Sequence, residues 1–111
     1  LIDTGEMVAL PGGDWPVTLP DRRALPLRGR ALATSAPLGM TFGGDGRTSH
    51  ILNPATLRPT LPYWQSVTVS APSAALADAL STAACLIEIK SEAHRMCETF
   101  TATTLESAIP A

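Results

Sequence analysis

The chain has 111 residues, enough for one domain, and its 45% hydrophobic and 16% charged residues are typical of a folded protein. Eight basic and ten acidic side chains give a net charge of −2, which argues against a nucleic-acid partner because such a partner needs a basic surface. No apolar run is long enough for a transmembrane helix, and the first residues lack the basic and apolar regions of a signal peptide.

The first seventy residues alternate between short apolar segments and turn-forming residues, which predicts strands rather than helices. Strands are predicted at 1–10, 15–19, 28–35, 40–42, 48–52 and 65–71. Turns or loops are predicted at 11–14, 20–26, 43–46 and 53–62, where glycine, proline and aspartate are frequent. In the clearest strand, Gln65–Ala71, valines lie on one face and hydroxyl residues on the other.

A helix is predicted from Ala74 to about Ile89, with Ser73 as its N-cap. Its predicted apolar face consists of Leu76, Leu80, Ala83 and Ile87. The side nearly opposite carries Asp78, Ser81, Thr82 and Cys85. An exposed helix at 88–100 and a terminal strand at 98–105 follow, and Cys85 and Cys97 are predicted to be buried free thiols. The order predicts an α+β fold in a single domain, 1–111: a mostly antiparallel sheet with one main helix packed on it.

Asp78 and Thr82 are the most informative pair for chemistry. Positions i and i+4 of a helix place a carboxylate and a hydroxyl on one side, with Cβ atoms about 6 Å apart. Such hard oxygen ligands suit Mg²⁺ or Ca²⁺. The alternative is that Asp78 only lies on the solvent side of the helix, but the surrounding alanines are unusual for a solvated face. No catalytic residue can be identified, because spacing picks out no Ser/His/Asp set and no Cys/His pair.

Several segments match, in order, the motifs of one enzyme family. Residues 49–56, SHILNPAT, are similar to S-H-I-I-D-P-R-T-G, and residues 66–72 and 77–83, SVTVSAP and ADALSTA, are similar to S-V-T-V-x-A-P and A-D-A-L-A-T-A. Upstream, residues 33–35, ATS, are similar to an A-T-S-G element, and the strand at 1–10 is similar to a strand that carries G-G-D or G-G-N. The chain therefore resembles the C-terminal part of the ApbE family, the FAD:protein FMN transferases. It departs from the family pattern at Asn53, which replaces an aspartate, and at Ala36 and Leu57, which replace glycines.

The resemblance implies Mg²⁺-dependent transfer of FMN from FAD to a Thr or Ser hydroxyl of a target protein, with release of AMP. It implies that Asp78 and Thr82 are Mg²⁺ ligands and that His50, Ile51 and Asn53 bind FAD. Because the match begins midway through the family pattern, we expect a missing N-terminal segment of the same protein to complete the enzyme and the isolated 111 residues to be inactive. The alternative is a non-catalytic ApbE-like domain for flavin binding or assembly. The family also implies an exported bacterial protein, periplasmic or membrane-anchored.

Overall fold

The computed structural model describes residues 2–3, 6–38, 41–42 and 48–111, with side chains at 6–38 and 50–111. The strands are β1 (Ile2–Asp3), β2 (Glu6–Val8), β3 (Trp15–Thr18), β4 (Ala24–Leu27), β5 (Ala31–Ser35), β6 (Thr41–Phe42), β7 (Thr48–Ser49), β8 (Leu52–Asn53), β9 (Arg58–Pro59), β10 (Trp64–Ala71) and β11 (Thr104–Pro110). The helices are α1 (Ala74–Ala84) and α2 (Lys90–Glu98).

A five-stranded antiparallel sheet is the centre of the fold. Its strand order is β1-β2-β5-β10-β11, and β3–β4, β6–β7 and β8–β9 form three separate antiparallel pairs. The predicted α+β class with a mostly antiparallel sheet is confirmed. No helix in these described ranges is long and apolar enough to cross a membrane.

Two apolar clusters cover opposite faces of the sheet. On one face, the helices pack on β10 and β11 around Val67, Val69, Leu80 and Leu105. On the other face, the β3–β4 hairpin packs through Val17 and Leu27 on Leu32 of β5. Side chains alternate along a strand, so Leu32 points away from Ala31 and Ala33, which contact α1. As a result β10 is buried on both faces, including its hydroxyl residues Ser66, Thr68 and Ser70.

Helix α1 begins as predicted and ends earlier than predicted. The Ser73 hydroxyl accepts a hydrogen bond from the Leu76 amide at 3.2 Å, which caps the first turn. The helix stops at Ala84, and the Ile87 carbonyl instead accepts the Trp64 indole N–H at 2.8 Å. The amides of Cys85, Leu86 and Ile87 bond carbonyls three residues back, so the chain leaves the α-helix in a tighter turn and the expected extension to Ile89 is wrong.

The buried face of α1 also differs from the predicted one. It consists of Ala77, Leu80, Ser81 and Ala84. Leu80 is in the core as expected, but Ser81 and Cys85, assigned to the side opposite the core, are fully buried. Alanines at 31, 33, 71 and 77 let the helix approach the sheet closely, and this close contact favours small residues whether or not they are polar.

Other element boundaries are set by pairing and turns. The predicted strand 1–10 is two paired strands, and the predicted turn 20–26 and loop 53–62 each contribute to a β-hairpin. The second helix is shorter than 88–100, and the terminal strand is Thr104–Pro110 rather than 98–105, since Ala102 turns the chain with φ +54°. Strands β6 and β7 pair as the glycine turn 43–46 predicts, although that turn lies outside the described residues. Cys85 and Cys97 are buried and free, as expected.

Candidate functional site

The end of strand β5 holds α1 through hydroxyl groups. Ala31 and Ala33 face Ala77 of α1, and alternation places Ser35 next on the same face. The Ser35 Oγ lies 2.7 Å from the Ser81 Oγ and 3.1 Å from the Thr82 Oγ1. The strand end thereby fixes the turn of α1 that carries the predicted metal ligand Thr82.

The His50 segment is tied to the same strand end. The His50 Nδ1 lies 3.2 Å from the carbonyl oxygen of Pro37, two residues after β5. Thr82 and His50, which belong to separate sequence motifs, are therefore both connected to the short segment Ser35–Pro37. Ile51 is only 6% exposed and packs in the main core, so the structure shows a packing role for it and its flavin contact stays a prediction.

Asp78 and Thr82 lie one turn apart on α1. Asp78 is exposed and Thr82 is half-buried. Among the residues that the structure describes, no three His, Cys, Asp or Glu side chains come together as a metal site. One carboxylate and one hydroxyl are hard oxygen donors that fit Mg²⁺, and the remaining ligands would come from water, carbonyls or the phosphates of a substrate. The donor set therefore fits a metal that binds together with a phosphate-containing substrate.

Asn53 and Leu57 form a tight turn between β8 and β9. The Asn53 Oδ1 accepts a hydrogen bond from the Ala55 amide at 2.9 Å, and its carbonyl accepts one from the Leu57 amide at 2.8 Å. Leu57 has φ +57°, a left-handed conformation that favours glycine. The structure thus gives the physical reason for the glycine of the S-H-I-I-D-P-R-T-G motif. Asn53 keeps the side-chain acceptor that an aspartate would supply, because both have an Oδ1.

Cys85 lies beside this hydroxyl cluster and is a packing residue. Its Sγ is 3.3 Å from the Ser81 carbonyl oxygen, and burial raises the pKa of the thiol to about 12. A nucleophilic cysteine needs a lowered pKa and access to solvent. Cys85 has neither, so it serves in packing and not as a nucleophile.

The fold has a distinctive arrangement: in an antiparallel sheet, the end of the inner strand β5 contacts both the His50 segment and Thr82 of the packed helix α1. The model of the ApbE family matches residues 1–105, and the chain belongs to this family. Among solved structures it is similar to the apo form of the flavinyl transferase ApbE of Pseudomonas stutzeri, with 28% identity and a TM-score of 0.65. The alignment covers 87% of this chain and 33% of that one, so the chain spans about a third of that protein. No curated protein sequence matches it.

Sequence reasoning missed the hydrogen bond between Ser35 and Ser81. Ser81 was assigned to the side of α1 away from the core, and Ser35 appeared only as part of the motif at 33–35. The available signal was the alternation in β5, which places Ser35 on the face of Ala31 and Ala33. That face is the one on which an alanine-rich helix packs.

Proposed function

We propose that this protein is a FAD:protein FMN transferase, with residues 1–111 forming the C-terminal, metal-bearing part. A Thr or Ser hydroxyl oxygen of the target protein forms a bond to the phosphorus of the FMN half of FAD. The bond from that phosphorus to the oxygen of AMP breaks, and AMP and the hydroxyl proton are released. The observation that carries the proposal is that Thr82 and His50, from two separate motifs of the ApbE family, are both tied to the end of β5.

Asp78 and Thr82 would hold the Mg²⁺. When bound, Mg²⁺ supplies positive charge against the diphosphate, the main requirement of phosphoryl transfer. The chain's own contribution is to present two oxygens one helical turn apart, next to alanines that let a diphosphate approach. Because one carboxylate and one hydroxyl leave most of an octahedral Mg²⁺ site to other ligands, we expect the metal and FAD to bind together.

The nucleotide-binding residues of the proposal are His50, Ile51 and Asn53. His50 is held by the segment after β5, and Asn53 fixes the following turn. The proposal also includes a segment N-terminal to this chain and a target protein. It further includes export of the protein to the periplasm or to a membrane anchor. These parts rest on the family alone.

A second candidate function is flavin binding or assembly without transfer. Leu57 favours it, because a leucine occupies the left-handed position where the family motif has glycine. The turn itself weighs against it, since the Asn53 hydrogen bonds form the turn without that glycine.

Flavin labelling of a target peptide tests the proposal. The complete protein is incubated with FAD, Mg²⁺ and a peptide containing Thr or Ser, and labelling is scored by in-gel flavin fluorescence. We expect labelling by the complete protein, none by residues 1–111 alone, and loss in the Asp78→Ala variant. Glu92→Ala, which removes an exposed carboxylate from α2, is the matched control and should label normally. FAD binding without any labelling by the complete protein would favour the non-catalytic alternative.

A further inference from the structure

We propose that Ser35 and Ser81 are positioning residues that fix the direction of the Thr82 hydroxyl, so that its oxygen lone pairs, rather than its proton, face a bound cation. This inference rests on the proposed function, because it takes Thr82 as a metal ligand. It adds two residues whose hydroxyl groups do not touch the metal. The observation behind it is a chain of hydrogen bonds that joins α1 to the end of β5.

The direction of the chain follows from counting protons. The Ser81 hydroxyl donates to the backbone carbonyl of Asp78 at 3.0 Å, and a carbonyl can only accept. A serine hydroxyl has one proton, so Ser81 has none left for its 2.7 Å contact with Ser35. Ser35 must therefore be the donor in that contact.

The same count of protons gives the direction of the Thr82 hydroxyl proton. Since the Ser35 proton is directed to Ser81, the 3.1 Å contact between Ser35 and Thr82 must be donated by Thr82. The threonine proton then points to the sheet, and the lone pairs of its oxygen remain for a ligand. A cation requires this arrangement, because a hydroxyl proton directed at it would be repelled.

The surroundings hold the chain of hydrogen bonds in this state. Ser81 is fully buried and packs in the closely approaching face of α1, so water does not compete for its bonds. Hydrogen bonds in series polarise one another, which makes the Thr82 oxygen a better electron-pair donor. The series ends on the carbonyl of Asp78, the residue whose side chain is the other proposed ligand.

A double-mutant cycle on Mg²⁺ affinity tests this role. Calorimetric titration of Mg²⁺ into the complete protein with saturating FAD gives the affinity for wild type, Ser35→Ala, Thr82→Val and the double variant. We expect each single change to weaken Mg²⁺ binding about three- to tenfold, as the loss of one hydrogen bond or neutral ligand does. In the double variant, Ser35→Ala should have no effect beyond that of Thr82→Val, because Ser35 acts only through Thr82. Ser35→Thr, which keeps the hydroxyl, should restore most of the affinity.

Thr68→Val is the matched control. It removes a buried hydroxyl of β10 that bonds the hydroxyl of Thr34, the neighbour of Ser35 in β5, at 2.8 Å on the opposite face of the sheet. Mg²⁺ affinity should not change. If Ser35→Ala fails to fold, Ser81→Ala takes its place in the cycle, because it removes the acceptor of the Ser35 proton.

The outcomes separate this inference from the proposed function. If Thr82→Val leaves Mg²⁺ affinity unchanged, Thr82 is not a ligand and both proposals of its role are wrong. If Thr82→Val weakens binding but Ser35→Ala adds its full effect in the double variant, the positioning role is wrong and the metal site stands. An equal loss in Thr68→Val would also overturn the positioning role, since any buried hydroxyl would then matter.

Discussion

Replacing Leu57 with glycine should stabilise the protein, although it removes a large apolar side chain. Leu57 has φ +57°, and this left-handed conformation costs a residue with a Cβ roughly 1–2 kcal/mol. The side chain is 84% exposed, so its removal takes almost no area out of the core. Glycine loses more backbone freedom on folding than leucine does, and this loss offsets roughly 0.5–1 kcal/mol of the gain. The net expectation is a gain of about 0.5–1 kcal/mol in the free energy of unfolding.

Urea denaturation followed by tryptophan fluorescence measures this gain. Leu57→Ala is the control, because alanine keeps a Cβ in the left-handed conformation and should gain nothing. Gly12→Ala should show the reverse effect and lose about 1 kcal/mol. Gly12 has φ +101° and no atom within 4 Å of an added Cβ, so its loss would come from the backbone alone. If Leu57→Gly lowers stability, or if alanine gains as much as glycine, the backbone of this turn is not strained.

Two further predictions concern the packing of α1. Leu80→Ala should lower the free energy of unfolding by about 2–5 kcal/mol in urea denaturation, because Leu80 is in the core. Ile89→Ala, at an exposed site, should change it by no more than about 0.5 kcal/mol. Equal effects of the two substitutions would mean that α1 faces another way. Burial raises the pKa of Cys85 from 9.0 to about 12, so above pH 9 the unfolded chain loses this proton before the folded protein does. This group should therefore leave stability unaffected below pH 9 and lower it between pH 9 and 12. The decline should be less steep in Cys85→Ala than in the wild type. An identical decline in the wild type and in Cys85→Ala would contradict the burial of the thiol.

Local sequence signals predicted the elements that local chemistry controls. The alternation of Gln65–Ala71 and the Pro72-Ser73 start of the helix both correspond to observed features, because a pleat and an N-cap need only neighbouring residues. The early end of α1 could not be predicted in this way, because the residues that follow Ala84 pack in the core beside Trp64, which is 23 positions from Ile87 in the sequence. The terminal strand begins later than predicted, because the chain turns at Ala102 before it pairs with β10.

The candidate site was predictable in its residue types and not in its assembly. The spacing of Asp78 and Thr82 places both on α1, as the structure shows. Polarity alone misplaced Ser81, because a small hydroxyl residue can be buried when its hydrogen bonds are satisfied internally. The link between His50 and the end of β5 is a contact between distant segments, and no periodicity in the sequence encodes it.

Calorimetry of FAD binding with and without Mg²⁺ tests the proposal that Asp78 and Thr82 hold Mg²⁺ beside the diphosphate of FAD. In the complete protein, Asp78→Ala should abolish the Mg²⁺ dependence of FAD binding. Asp78→Asn, which keeps the shape and removes the charge, should lose most of that dependence while the fold persists. Thr82→Val should lose less, because water can replace one neutral ligand. Mg²⁺-dependent FAD binding that persists unchanged in Asp78→Ala would contradict the claim and place the metal away from α1.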